Sequence, residues 1–116
     1  MNYKIKSRIW IEVDDRVFLG EGRIQLLKTI DEVGSLSKAA KALQLSYKKA
    51  WHLLNSMNTS GKQHVTTNSI GGKGGGGTQL TEYGRDLIKT FDQINKNCWL
   101  FLDQELEALK KLDEEK

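Results

Sequence analysis

Lys48, Lys49, His52, Asn55 and Ser56 fall on one side of a stretch whose apolar residues, Ala50, Leu53, Leu54 and Met57, recur at helical spacing. Tyr47 and Trp51 lie at the margin between the two sides. The polar side holds donors and amides with defined chemistry. A lysine ammonium donates to guanine O6 and N7, an asparagine amide pairs with adenine N6 and N7, and both attract phosphate. Ser46, just ahead of the stretch, is suited to cap a helix, and the backbone N–H groups there suit an anion. The bland alternative is a solvated lysine face. Its surroundings argue against it. No Asp or Glu occurs in the 49 residues between Glu32 and Glu82, whereas Lys38, Lys41, Lys48, Lys49, Lys62 and Lys73 all do, with His52 and His64. Such a span attracts a polyanion.

A second candidate is the glycine-rich run at residues 71–77, with Lys73 at its centre. Glycine lets a backbone approach another surface closely, so Gly72, Lys73 and Gly74 are candidates for contact with a sugar-phosphate backbone or a minor groove. The same run also fits a floppy hairpin tip with a lone exposed lysine. A nucleotide-phosphate loop is discounted, because Lys73 is followed by Gly74 where a Ser or Thr is needed.

The elements that must position these residues follow from periodicity. Residues 3–13 alternate, with Ile5, Ile9, Ile11 and Val13 on one side, and predict a strand. Asp14 and Asp15 predict a turn, and Arg16–Leu19 a returning strand. Leu26, Leu27, Ile30 and Val33 share a face of a helix from about Gly22 to Val33, which Gly34 is placed to end in a left-handed cap. Ser35, or alternatively Ser37, is expected to cap a short helix from about Leu36 to Leu43. Gln44 and Leu45 form the turn to a third helix, expected from Ser46 to about Asn58. Ala39 and Ala40 are small enough to let the two helices of this pair approach closely. Strands are expected at 64–70 and around Gln79-Leu80, flanking the glycine-rich tip. Thr81 then starts a long helix running to about Leu112, with residues 113–116 frayed.

That long helix carries two apolar faces: Leu87, Phe91, Ile94, Cys98 and Phe101 on one, and Trp99, Leu102, Leu106 and Leu109 on the other. A small domain has little core to cover both, so one face is expected to meet a second copy. The candidate dimer contacts are Leu87, Phe91, Ile94, Cys98, Trp99, Leu102, Leu106 and Leu109. Trp10, Trp51 and Trp99 are expected in the core or an interface.

Composition narrows the function classes. At 116 residues the chain is expected to form one domain. Residues 1–81 hold 12 Lys and Arg against 6 Asp and Glu, and residues 82–116 hold 6 against 9. This split suggests a polyanion-binding body and a tail with another task. One cysteine, Cys98, excludes an internal disulfide. No apolar run reaches the roughly 18–20 residues that span a membrane, and no signal-peptide core is present, so a cytoplasmic protein without membrane association is expected. His52 and His64 have no metal-ligand spacing, and the serines no nucleophile-elbow context. No enzyme, metal or cofactor is expected.

The segment GSLSKAAKALQLSYKKAWHLLNSMN at 34–58, followed by GGKGGGGTQLTEYGRDLI at 71–88, resembles the N-terminal domain of the ModE-type, molybdate-responsive transcriptional regulators. The helix-turn-helix is also similar to that of LysR-type regulators, and residues 10–27 look like the entry to the same domain. The resemblance implies a winged helix-turn-helix that dimerises through helices and binds a near-palindromic site in double-stranded DNA. It also implies that the helix starting at Ser46 is the recognition helix and the glycine-rich hairpin the wing. Members of that family carry a C-terminal oxyanion-binding region for which these 116 residues leave no room, so the chain is either a DNA-binding protein without its own effector domain, which is the expectation, or a truncated piece of a longer one.

The expectation is therefore a mainly α fold with small β: a winged helix-turn-helix with an N-terminal hairpin (1–20), three helices (22–58, the helix pair at 36–58), a wing (64–80) and a long dimerisation helix (81–112). DNA contacts are expected from Ser35, Ser37, Ser46, Tyr47, Lys48, Lys49, His52, Asn55, Ser56, Gly72, Lys73 and Gly74. The function expected is that of a homodimeric, sequence-specific transcriptional regulator. Two rivals stay open: a winged-helix interaction adaptor that reads no DNA, and a regulator that senses an oxyanion.

Overall fold

The computed structural model describes residues 1–69 and 77–115. Its first paired elements are strands β1 (Trp10–Val13) and β2 (Arg16–Gly20). Asp14 and Asp15 both adopt positive φ, 51° and 64°, which suits a two-residue hairpin turn matched to strand twist. The register slips between Ile11, opposite Leu19, and Glu12, opposite Val17. Phe18 is thus the extra residue of a bulge, and the bend lets Phe18, Leu19 and Gly20 be buried in succession.

Residues 3–9 do not pair as a strand. They form an extended arm whose odd residues are half-buried and whose even residues are exposed. The alternation is as the sequence indicates, but β2 ends at Gly20, where the next helix begins, and leaves nothing for residues before Trp10 to pair with.

Helix α1 (Glu21–Val33) begins one residue before the expected position and buries Ile24, Leu26, Leu27 and Ile30. Gly34, at φ 72°, ends it in the left-handed region and donates its N–H to the Ile30 carbonyl. Ser35 caps α2 (Leu36–Ala42), its hydroxyl oxygen accepting from the Lys38 N–H. Two bonds close that helix: the Leu45 N–H donates to the Ala40 carbonyl and the Gln44 N–H to the Lys41 carbonyl. Gln44 sits at φ 58°, completing a Schellman ending. Ser46 caps α3 (Tyr47–Ser60) by accepting from the Lys49 N–H. Ala50, Leu54 and Met57 are buried on α3, and Leu53 packs half-buried beside them.

Strands β3 (Thr66–Asn68) and β4 (Thr78–Leu80) pair antiparallel, Thr67 opposite Gln79. Thr81 caps the 33-residue helix α4 (Glu82–Glu114), accepting from the Gly84 N–H. Asp113 and Glu114 are helical where fraying was expected, and Asp113 accepts a hydrogen bond from the Tyr3 hydroxyl. The core is one cluster shared by β2, α1, α2, α3, Val65, Leu80 and Phe91. The fold is mainly α with two small hairpins, a winged helix with a long C-terminal helix. Among the described residues no helix is long and apolar enough to cross a membrane.

Candidate nucleic-acid interface

The outward side of α3 is built by its two ends. At the start, the Ser46 hydroxyl accepts the Lys49 N–H at 3.0 Å, which fixes where the helix begins and hence which residues face out. Lys48, His52, Asn55 and Thr59 are exposed and follow one another at intervals of four, three and four, so they form a crest along the helix. At the far end, Asn58 joins α3 to the wing. Its side-chain oxygen accepts from the Val65 N–H at 2.7 Å and the Thr66 N–H at 3.3 Å, and its amide donates to the Thr66 hydroxyl at 3.2 Å. Thr81, the cap of the following helix, donates its hydroxyl to the His64 carbonyl at 2.7 Å and ties the base of the wing to that helix. The wing is also held to the start of the helix pair, because the Thr78 N–H donates to the Gly34 carbonyl.

Between α3 and the wing lies a cleft of about 520 Å³. Its floor includes the buried Leu36 and Leu54, one wall carries Tyr47, Trp51 and Asn55, and the other carries Thr67, Asn68 and Thr78. Among the described residues no Asp or Glu lines it. The four ion pairs among the described residues are Arg8–Glu21, Lys28–Asp92, Arg85–Asp31 and Lys110–Glu107. None involves Lys38, Lys41, Lys48, Lys49 or Lys62, whose charges are available to a polyanion.

The sequence-derived candidates separate by environment. Tyr47, Lys48, Lys49, His52 and Asn55 are exposed on α3, and Ser37 is exposed on α2. Ser35 and Ser46 are engaged as helix caps. Ser56 faces inward rather than outward: it is half-buried and accepts from the Arg23 guanidinium on α1 at 3.4 Å. Burial lowers the pKa of Arg23, whose Nε has no partner among the described residues. Gly72, Lys73 and Gly74 lie outside the described residues. Sequence reasoning missed Asn58 and placed Trp51 at the margin. Trp51 is in fact 45% exposed, and Trp10 and Trp99 are also exposed, so none of the three belongs to the core. Among the described residues no group of His, Cys, Asp or Glu is arranged to hold a metal ion.

The candidate contacts on α4 divide likewise. Phe91 is buried in the protomer's own core at 3% exposure, and Leu87 packs half-buried against that core. Cys98, Leu102 and Leu106 are half-buried on the face along which the N-terminal arm runs; Ser7 lies 3.6 Å from the Cys98 sulfur. Ile94, Trp99 and Leu109 are exposed, and so are Leu100, Phe101 and Leu112.

A helix pair whose second member is followed directly by a two-stranded wing defines the class: this is a winged helix-turn-helix protein. No protein-family model matches the chain. Its curated relatives include the transcriptional regulator ModE of Yersinia pestis, 44% identical over 84 residues, which are 72% of this chain and 32% of that protein. The molybdenum transport protein ModE of Azotobacter vinelandii is 35% identical over 106 residues, 91% of this chain and 39% of that protein. The DNA-binding transcriptional dual regulator ModE of Escherichia coli K12 is 42% identical over 84 residues, 72% of this chain and 32% of that protein. Over the region they share, the chain is similar to the N-terminal region of the ModE regulators. It spans only about a third of the length of these relatives.

Proposed function

We propose that this protein is a sequence-specific DNA-binding transcriptional regulator that acts as a homodimer. The observation that carries the reading is the exposed crest of Lys48, His52 and Asn55 on a helix capped at Ser46, set in a span without a single carboxylate and beside a wing. A helix about 10–12 Å across fits the DNA major groove. Asn55 and Lys48 are the base readers in this reading, and the Ser46 end of the helix and Lys73 are phosphate contacts. The relatives' names, a molybdenum transport protein and a DNA-binding regulator among them, support genes of molybdenum handling as the targets. DNA binding puts the site of action in the cytoplasm of a bacterium such as those relatives come from. The exposed apolar residues of α4 support pairing with a second copy, which sets two recognition helices about 34 Å apart, one turn of DNA.

Selection of bound duplexes from a random pool at about 150 mM salt, an ionic strength that screens non-specific attraction to about 8 Å, tests this. An enriched inverted repeat with half-sites one helical turn apart is expected. About three phosphate contacts per protomer would give a log K against log salt slope near −5. Absence of enrichment, with binding confined to low salt, would make the positive surface generic; no binding even at low salt, with capture of a protein partner, would favour the adaptor reading, in which α4 is the working surface.

A further inference from the structure

We propose that Trp51, supported by Tyr47, is a specificity-determining residue that reads thymine through its C5-methyl group; the inference rests on the DNA-binding reading above. Tyr47 and Trp51 are four residues apart and therefore neighbours on α3. They are 57% and 45% exposed, although each is large and apolar enough to drive burial. Both line the cleft between α3 and the wing, over the buried Leu36 and Leu54. The Trp51 ring meets that of His52 edge-on, with centroids 5.3 Å apart and planes at 78°.

The chemistry of the partner follows from what surrounds the rings. They border a crest of donors and an amide, Lys48, His52 and Asn55, which pairs with the polar edges of bases. A major groove seated there offers this crest acceptors and donors at every base pair, but one apolar group alone, the methyl of thymine. An aromatic wall beside a polar crest is matched by a thymine flanking the polar-read bases. Neither ring fills the core, so this exposure is not a folding requirement.

The test uses the duplex enriched in the selection, with each thymine replaced in turn by deoxyuridine, which removes the methyl and leaves every hydrogen bond in place. Wild-type protein is expected to bind about fourfold more weakly when the contacted thymine in one half-site is replaced, the effect of uncovering one methyl. Trp51→Ala should bind the two duplexes equally, and Trp51→Phe should keep part of the difference. If wild-type protein is indifferent to every such replacement, or Trp51→Ala keeps the full preference for thymine, the proposal is overturned. Should Trp51→Ala lose its helical circular dichroism, Trp51→Phe and the wild-type duplex series decide alone. Failure of wild-type protein to bind any duplex refutes the DNA-binding reading itself, a result distinct from methyl-insensitive binding.

Discussion

Ser46 accepts the Lys49 N–H and still has its hydroxyl proton to donate, because a serine hydroxyl is one donor and two acceptors. It can therefore start α3 and hold a phosphate oxygen at once. The crest residues are expected to act differently from one another. Asn55→Ala or Lys48→Ala should relax the preference at particular base pairs, costing about 1–3 kcal/mol against the preferred base, as read by repeating the selection with each variant. Uniform loss across all sequences would instead make them phosphate contacts. A second residue acts by having no side chain. At Gly84 an added Cβ would lie 2.3 Å from the Val65 carbonyl oxygen, and the Gly84 N–H is the donor that Thr81 caps. Gly84→Ala forces the start of α4 off the wing and is expected to destabilise by about 3 kcal/mol, the upper range for overpacking; urea unfolding measures it.

Among the elements, the wing is small, and its position is set by others. Three hydrogen bonds with the Asn58 side chain fix the base of β3 against the end of α3, and the Thr81 hydroxyl ties that base to the start of α4. Asn58→Ala leaves the Val65 and Thr66 N–H groups without their acceptor and is expected to cost about 1–3 kcal/mol of stability. Asn58→Asp retains the acceptor and should restore most of it; equal thermal melts for the two variants would show that the amide oxygen is not what matters. This tie was not legible in the sequence, because residues 61–64 bring Asn58 to its partners and nothing in a lone asparagine announces them. Caps were legible. Gly34, Ser35 and Ser46 each need a local geometry that few residue types supply, and each stands where the periodicity breaks. The alternation of residues 3–9 was legible too, but its partner was not: half-burial every second residue looks alike on a strand and on an arm lying along a helix. The bulge at Phe18 and the inward turn of Ser56 depend on contacts between distant segments, and period alone carries no trace of them.

The whole molecule is elongated. Its radius of gyration is 18.4 Å, against about 13 Å for a compact chain of this length, and its longest extent is 70 Å. The excess is α4, whose 33 residues rise about 50 Å. On it Ile94, Phe101 and Leu112, seven and eleven residues apart, share one exposed apolar face. We expect Phe101→Asp combined with Ile94→Asp to shift the sedimenting species from dimer to monomer and to weaken operator binding at least tenfold, a difference of about 1.4 kcal/mol. An unchanged sedimentation profile would move the pairing surface elsewhere, with Trp10 and Trp99 the next exposed aromatics to test.

The arm along α4 has a geometric consequence for anything joined to the protein. The Tyr3 hydroxyl is bonded to Asp113, while the other end of α4 abuts the wing through Thr81 and His64. Residues 3 and 113 thus share one pole of the molecule, about 45 Å along the helix from the wing. A fluorophore, an affinity tag or a fused protein attached near either residue would ride on the same distant mast, clear of α3. Labels placed at both would report through energy transfer whether the arm lies along α4 in solution.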